Sequence, residues 1–230
     1  MLIGLVMVIA SCHNNITGEG EKITRDYGLT GFSSISSDMS ADVYYSQSND
    51  YLVKITAQPN ILDVMEIEVK GSELKIGIKN GYNIKTHDGI YIETGSPEIF
   101  GFNLNGSGNI TSADSVKTSD LNLTINGSGN FTFPTIKAEK VSCSIDGSGD
   151  LFLGGETGTN DIRINGSGNI KAFTLSSEAS SIIINGSGDC EMWVEEDLDV
   201  DINGSGSVYY KGDPQIRINA NGSGKVVKVD

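Results

Sequence analysis

One short motif constrains the fold of this 230-residue chain more than any other feature. From residue 100 onward, two apolar residues separated by a polar one are followed by Asn or Asp and then by Gly-Ser-Gly. The first glycines of the seven copies are Gly106, Gly127, Gly147, Gly166, Gly186, Gly204 and Gly222. A near-constant period of about 20 residues is typical of stacked supersecondary units and is too short for paired helices.

Three positions of the repeat are apolar in every copy. Counted from the first glycine, position −4 holds Phe102, Leu123, Cys143, Ile162, Ile182, Val200 and Ile218; position −2 holds Leu104, Ile125, Ile145, Ile164, Ile184, Ile202 and Ala220; position +4 holds Ile110, Phe131, Leu151, Ile170, Cys190, Val208 and Val226. The residues between them are mostly polar. This period of two predicts a strand on each side of the corner, with one face of each strand buried.

Stacking the copies in parallel explains the residue before each corner. That position holds Asn105, Asn126, Asp146, Asn165, Asn185, Asn203 and Asn221, whose side chains could form a hydrogen-bonded ladder at the strand spacing of about 4.8 Å. The rival fold is an antiparallel meander, because Asn-Gly favours hairpins. A meander needs a second regular turn in each period, and the sequence has none. We therefore predict an all-β parallel β-helix, or β-solenoid, of about seven Gly-Ser-Gly-cornered coils.

Two regions of different regularity follow from the repeat. Residues 101–230 carry the regular solenoid, whereas residues 25–100 are β-rich and irregular, and we expect them to form wider coils that cap its end. Ser40-Ala41-Asp42-Val43-Tyr44 resembles a degenerate copy of the corner. A separate small β-domain is the alternative for residues 25–100.

The N-terminal segment predicts where in the cell the protein is located. Residues 1–11 are apolar and uncharged, and Ile9-Ala10-Ser11-Cys12 resembles a bacterial lipobox. This resemblance implies a signal peptide over 1–11, lipidation of Cys12 with palmitate, and a polar tether over 12–24. The expected location is the cell envelope, anchored to the outer membrane on its periplasmic or outer side. The alternative is an ordinary signal peptide with a chance cysteine.

The charge of the chain excludes some partners. Sixteen Lys and Arg against 30 Asp and Glu give a formal net charge of −14. Nucleic-acid binding needs clustered cations, as does electrostatic docking on anionic lipid. We therefore expect no nucleic-acid partner, and membrane contact only through the lipid anchor.

The sequence contains few candidate catalytic residues. The densest acidic group is Glu195, Glu196, Asp197, Asp199 and Asp201. Asp199 and Asp201 lie about 7 Å apart on one strand, within the range of glycosidase carboxylate pairs. Arg217 lies one coil above Asp199, so a weak, exposed surface ion pair is the simpler expectation. The only histidines are His13 and His87, and neither recurs beside the many serines.

We expect no metal ion and no cofactor. Position +3 holds Asn109, Asn130, Asp150, Asn169, Asp189, Ser207 and Lys225. The nine-residue period of a calcium-binding roll is absent, and most of these side chains are neutral. Asp146 with Asp150 could hold one weak ion at most.

Two further features concern the covalent state. Cys143 and Cys190 occupy different columns two coils apart, about 10 Å along the axis, so we expect two buried, reduced thiols. Asp114-Ser115-Val116 fits an Asp-Ser/Thr-aliphatic pattern of bacterial periplasmic O-glycosylation, which makes Ser115 a candidate site.

The lipobox, the irregular β half and the repeated Asn-Gly-Ser-Gly together resemble the auto-transporter adhesin, head GIN domain family of Bacteroidetes envelope proteins. The resemblance covers about residues 25–230 and implies a β-helix in the envelope. We expect a non-catalytic adhesin-like binding or structural module, with a glycan or a surface protein as partner, or with other copies of itself. The alternative is a carbohydrate-active enzyme that uses the acidic residues near 195–201.

Overall fold

A computed structural model describes residues 14–230, so the predicted signal peptide, Cys12 and His13 lie outside the described residues. The N-terminal half contains β1 (Asn14–Thr17), β2 (Ile23–Asp26), β3 (Ser34–Ser37), β4 (Asp42–Gln47), β5 (Leu52–Ala57), α1 (Pro59–Val64), β6 (Met65–Lys70), β7 (Glu73–Ile78), β8 (Tyr82–Thr86) and β9 (Tyr91–Ser96). The C-terminal half contains β10 (Gly101–Gly106), β11 (Asn109–Ser112), β12 (Val116–Gly127), β13 (Asn130–Gly147), β14 (Leu151–Gly166), β15 (Ile170–Gly186), β16 (Cys190–Gly204), β17 (Val208–Lys211), β18 (Gln215–Gly222) and β19 (Val226–Lys228).

The C-terminal half is the predicted parallel β-solenoid. Strands β10 to β19 pair with one another only in parallel. Their register places Gly106 beside Gly127, Gly127 beside Gly147, and so on through Gly222. The seven corners therefore lie in one column, which confirms the solenoid and excludes the antiparallel meander.

The stacked corner leaves no room for a side chain. At Gly147 the backbone φ is 143°, a region that L-residues rarely adopt. A Cβ there would lie 2.1 Å from the carbonyl oxygen of Gly127 in the coil below. That same oxygen accepts a hydrogen bond of 2.9 Å from the backbone nitrogen of Ser148. The corner sequence is thus required by contact between coils as well as by the local turn.

The N-terminal half adds two coils to the stack. Strands β3 and β4 pair in parallel with β10 and β11, and Asp42 lies beside Asn109. The degenerate copy at residues 40–44 therefore forms a real corner. Strands β7 and β9 pair in parallel with β3 and β4 and form the next coil outward. One hydrophobic core runs through both halves, from Phe32 to Tyr210.

The outermost layer departs from the expected coils. Strand β6 pairs antiparallel with β7, β5 pairs antiparallel with β9, and β2 pairs antiparallel with β5. The chain reverses direction between β4 and β5 and again at the tight turn at Gly71, and the short helix α1 connects β5 to β6. Ile61 and Leu62 of α1 are buried against the core. This antiparallel layer closes the N-terminal end of the solenoid.

Part of the segment that was predicted to be a polar tether forms a strand. Asn14–Thr17 forms strand β1, which pairs in parallel with β8. Ile16 and Ile84, from these two strands, are half-buried against the hydrophobic core. Residues 13–24 are mostly polar, so the sequence did not indicate that Ile16 packs against the core. No helix within residues 14–230 is long and apolar enough to cross a bilayer.

The last described coil is the exception to the buried columns. Ile218 at position −4 is 54% exposed, whereas Val200 one coil below is 3% exposed. Ile216, on the same strand β18, is 36% exposed. Within the described residues, no further coil covers this face.

We predict that Gly147→Ala destabilises the protein by roughly 3 kcal/mol or more, because backbone strain and overpacking each cost about 1–3 kcal/mol. The matched control is Gly71→Ala, where φ is also positive but no atom lies within 4 Å of the added Cβ. The control should cost only about 1–2 kcal/mol. Urea unfolding of both variants measures the difference. Equal losses would show that contact between coils is not what selects glycine.

We predict that both core cysteines are unreactive in the folded protein. Cys143 and Cys190 are buried and unpaired. Burial raises the pKa of the Cys143 thiol to about 12 and raises that of Cys190 well above its usual range. Because the thiolate is the reactive form, titration of Cys12→Ala protein at pH 8 should find no fast thiol, and denaturant without reductant should expose two. Fewer than two thiols in denaturant would indicate a disulfide.

Candidate functional site

The solenoid presents rows of outward side chains on three faces. The pre-corner face carries the outward residues of the strand segments that lead into each corner. The post-corner face carries those of the segments that follow it, at positions +3 and +5. The third face carries the variable segments between them. Because successive side chains alternate across a strand, each outward position forms a row along the solenoid.

The predicted Asn ladder runs along the pre-corner face. Hydrogen bonds pass from one side-chain Nδ2 to the Oδ1 of the coil below: Asn126 to Asn105 (2.8 Å), Asn165 to Asp146 (2.7 Å), Asn185 to Asn165 (2.9 Å), Asn203 to Asn185 (3.1 Å) and Asn221 to Asn203 (3.4 Å). Asn105 continues the row by donating to Asp38 at 2.5 Å. Between Asp146 and Asn126 the structure records no bond, because a carboxylate has no N–H to donate downward.

A second ladder runs along the post-corner face at position +3. Asn109 Nδ2 donates to Asp42 Oδ1 at 2.7 Å, and Asn130 Nδ2 donates to Asn109 Oδ1 at 2.9 Å. Higher in the stack, backbone N–H groups join the row: those of Asp150, Asn169, Asp189 and Ser207 each donate to the side chain of the coil below, at 2.7–3.0 Å.

This second ladder was not predicted from the sequence, because the residues at position +3 were compared only with calcium ligands. The signal for a ladder was present, since Asn and Asp recur there as they do before the corner. In the structure Asp150 Oδ1 accepts both the backbone N–H and the Nδ2 of Asn169, each at 2.9 Å. Residues 14–230 contain no group of three or more His, Cys, Asp or Glu side chains that could hold a metal ion.

The acidic group near residue 199 makes structural contacts. Asp199 and Arg217 are adjacent across neighbouring coils, as expected, and form a two-bonded ion pair at 2.5 and 2.9 Å. Hydrogen bonding from Arg217 lowers the pKa of Asp199. Asp201 accepts a hydrogen bond of 2.7 Å from Asn219. The general acid of a glycosidase needs a raised pKa, so Asp199 is poorly suited to that role.

The remaining candidate residues lie apart from one another. Ser115 is half-buried in the turn between β11 and β12, beside an exposed Asp114. His87 follows β8, and its Nδ1 accepts a hydrogen bond of 2.9 Å from the backbone of Gly89. Glu195 and Glu196 are exposed on the third face. The structure therefore brings no serine, histidine and carboxylate together among these candidates.

Two shallow depressions mark the outer faces. One, of about 380 Å³, lies on the pre-corner face where small side chains succeed one another, including Ser142, Ser144 and Ser181. The other, of about 400 Å³, lies on the post-corner face. Its first row is Tyr44, Thr111, Thr132 and Phe152, and its second row is Asp42, Asn109, Asn130 and Asp150 of the second ladder. We call these two rows together the post-corner strip.

Comparison with known proteins identifies the class. Residues 31–214 match the family described as "Putative auto-transporter adhesin, head GIN domain", and the chain belongs to this family. The sequence matches no functionally curated protein.

Solved structures of similar fold come from Bacteroides and Parabacteroides species. A Bacteroides fragilis crystal structure described as a "putative adhesin" is 27% identical, with a TM-score of 0.89, and covers 93% of this chain and 100% of its own. A Parabacteroides distasonis structure described as a "putative lipid binding protein" is 28% identical, with a TM-score of 0.81 and coverage of 94% and 100%. A second "putative adhesin" from that species is 26% identical, with a TM-score of 0.75 and the same coverage.

We predict that the second ladder contributes measurably to stability. Asn169→Ala removes the bond to Asp150 and leaves the backbone N–H of Asp189 without its acceptor, so unfolding free energy should fall by about 1–3 kcal/mol. The control is Asn221→Ala, which removes one exposed bond of 3.4 Å and should cost less than about 0.5 kcal/mol. Urea unfolding of the two variants measures these losses. Equal small losses would show that the second ladder contributes little to stability.

Proposed function

We propose that this protein is a non-catalytic cell-envelope lipoprotein that acts as an adhesin-like binding module. Membership of the adhesin family supports the binding role. The single observation that carries the proposal is the stack of coils itself, which builds long faces from repeated, outward polar side chains. Solenoids commonly use such extended faces to bind partners.

The chemistry of the described surface supports binding rather than catalysis. In the densest carboxylate group, Asp199 is bonded to Arg217 and Asp201 to Asn219, and the pKa of Asp199 is lowered rather than raised. The interior is filled by side chains such as Ile145, Ile164 and Phe131, which are 0% exposed. Within residues 14–230 the two depressions that we describe lie on the outside and are lined by polar side chains together with a few apolar ones, such as Ile162 and Phe152. A polar partner suits these surfaces better than an acyl chain does.

The anchor is part of the proposal. Lipidation of Cys12, with a signal peptide over 1–11, would hold the solenoid at the outer membrane. The envelope location is supported by the family and by the lipobox-like Ile9-Ala10-Ser11-Cys12. The net charge of −14 disfavours a second, electrostatic contact with anionic lipid.

Self-association is a second candidate role, and one observation favours it. Among the described strands, β18 pairs only with β16, which leaves its other edge unpaired, and it exposes Ile216 and Ile218. Such an edge is a template for pairing with another chain. Light scattering of Cys12→Ala protein over a range of concentrations tests this role, and a monomer at the highest concentration would count against it.

We predict that the protein mediates adhesion without turnover. Beads coated with Cys12→Ala protein should adhere to immobilised host mucin or to bacterial envelopes more than albumin-coated beads do. The bound surface should release no soluble sugar during the assay. Adhesion no stronger than that of albumin would contradict the proposed function. Sugar release that is lost in both Asp199→Asn and Asp201→Asn would favour the enzyme instead.

A further inference from the structure

The post-corner strip combines aromatic and polar groups in a regular array. The strand register places Tyr44, Thr111, Thr132 and Phe152 in one row on four successive coils. Three steps of about 4.8 Å separate the two aromatic side chains by roughly 14 Å. Tyr44 is 45% exposed and Phe152 is 38% exposed, so both rings are open to a partner. The row is therefore a shallow trough with an aromatic ring at each end.

The ring of Phe152 is held in place from one side. Lys171, one coil further along the same row, places Nζ 4.7 Å from the ring centroid. The same Nζ lies 3.8 Å from Asp150 Oδ2. Phe152 lines the depression and Lys171 does not. A cation over one face of the ring fixes the side chain and leaves its remaining surface toward Thr132 for a ligand.

The second row supplies hydrogen-bonding groups with spare capacity. Asn109 uses one N–H toward Asp42 and one lone pair toward Asn130. A carboxamide has two N–H donors and two lone pairs, so one donor and one acceptor of Asn109 remain. Because the ladder bonds already hold this side chain in one conformation, a ligand that uses these groups meets little further entropic cost.

From this arrangement we propose that the post-corner strip binds a neutral oligosaccharide, laid along the solenoid axis between Tyr44 and Phe152. Sugar rings offer apolar C–H faces that stack on aromatic rings, and hydroxyl groups that both donate and accept hydrogen bonds. Asp42 and Asp150 border the strip, and the chain carries a net charge of −14, so acidic sugars would be repelled. This proposal rests on the proposed binding function and names its ligand class.

A peptide suits the strip less well. The backbone of β11 is paired on both sides, with β4 and β13, so no free strand edge is available to an extended chain. The common strand-addition mode of peptide binding is therefore closed here. Recognition must come from side chains, which is how aromatic and amide groups recognise sugars.

The test uses Cys12→Ala protein and a panel of soluble glucan, mannan, xylan and galactan, with polygalacturonate as the acidic comparison. Affinity electrophoresis and calorimetry should detect binding to at least one neutral glycan and none to polygalacturonate. Tyr44→Ala and Phe152→Ala should each weaken that binding about tenfold, as expected when an aromatic anchor is removed from an interface. Thr132→Arg, which fills the trough without removing an aromatic ring, should abolish it.

The matched control is Phe100→Ala, which removes an aromatic side chain of similar exposure (40%) outside the strip and should leave binding unchanged. Circular dichroism and thermal unfolding exclude misfolded variants. Glycan binding that survives all three strip substitutions would overturn this site but leave the adhesin function intact. Binding only to polygalacturonate, or adhesion to mucin with no neutral glycan bound, would overturn the ligand class. Absence of both adhesion and glycan binding would overturn the proposed function as well.

Discussion

The structure depends on one constraint: each coil must lie in register on the coil below at the spacing of parallel strands. At the corner this brings the backbone of one coil so close to the next that only glycine fits, as Gly147 above Gly127 shows. The same register brings like residues together, which lets Asn185 bond to Asn165 and lets Ile184 pack above Ile164. Stability is then a sum of nearest-neighbour contacts between coils.

Register also explains which parts of the fold could be predicted from the sequence. The seven corners, the buried columns and the Asp199–Arg217 pair follow from a repeat that can be aligned by its glycines. The N-terminal half could not be derived in this way. Its chain order is not its spatial order, since β3 and β4 lie between the later strands β7, β9 and β10, β11. No local pattern in residues 25–100 encodes an insertion of that kind.

The second ladder was missed for a different reason. Position +3 mixes Asn, Asp and Ser, and sequence reasoning compared these residues with metal ligands rather than with each other. In the structure Asp150 continues the row because its own backbone N–H donates to Asn130 in the coil below, which its carboxylate cannot do. At the pre-corner row no such donor reaches Asn126, so Asp146 interrupts that ladder. Whether Asp is tolerated therefore depends on backbone geometry that side-chain identity alone does not reveal.

The two ladders hold the coils together through positions −1 and +3, and position +5 lies outside both ladders. Because positions −1 and +3 fix the stack, position +5 is free to vary. Along the protein this row holds Tyr44, Thr111, Thr132, Phe152, Lys171, Glu191, Tyr209 and Val227. A change in this row alters what the face presents without altering the corner or the core. The spacing of the row is set by the strands, so a ligand laid along it would meet successive side chains at steps of about 4.8 Å. A relative with the same corners but a different +5 row would then share the fold and bind something else.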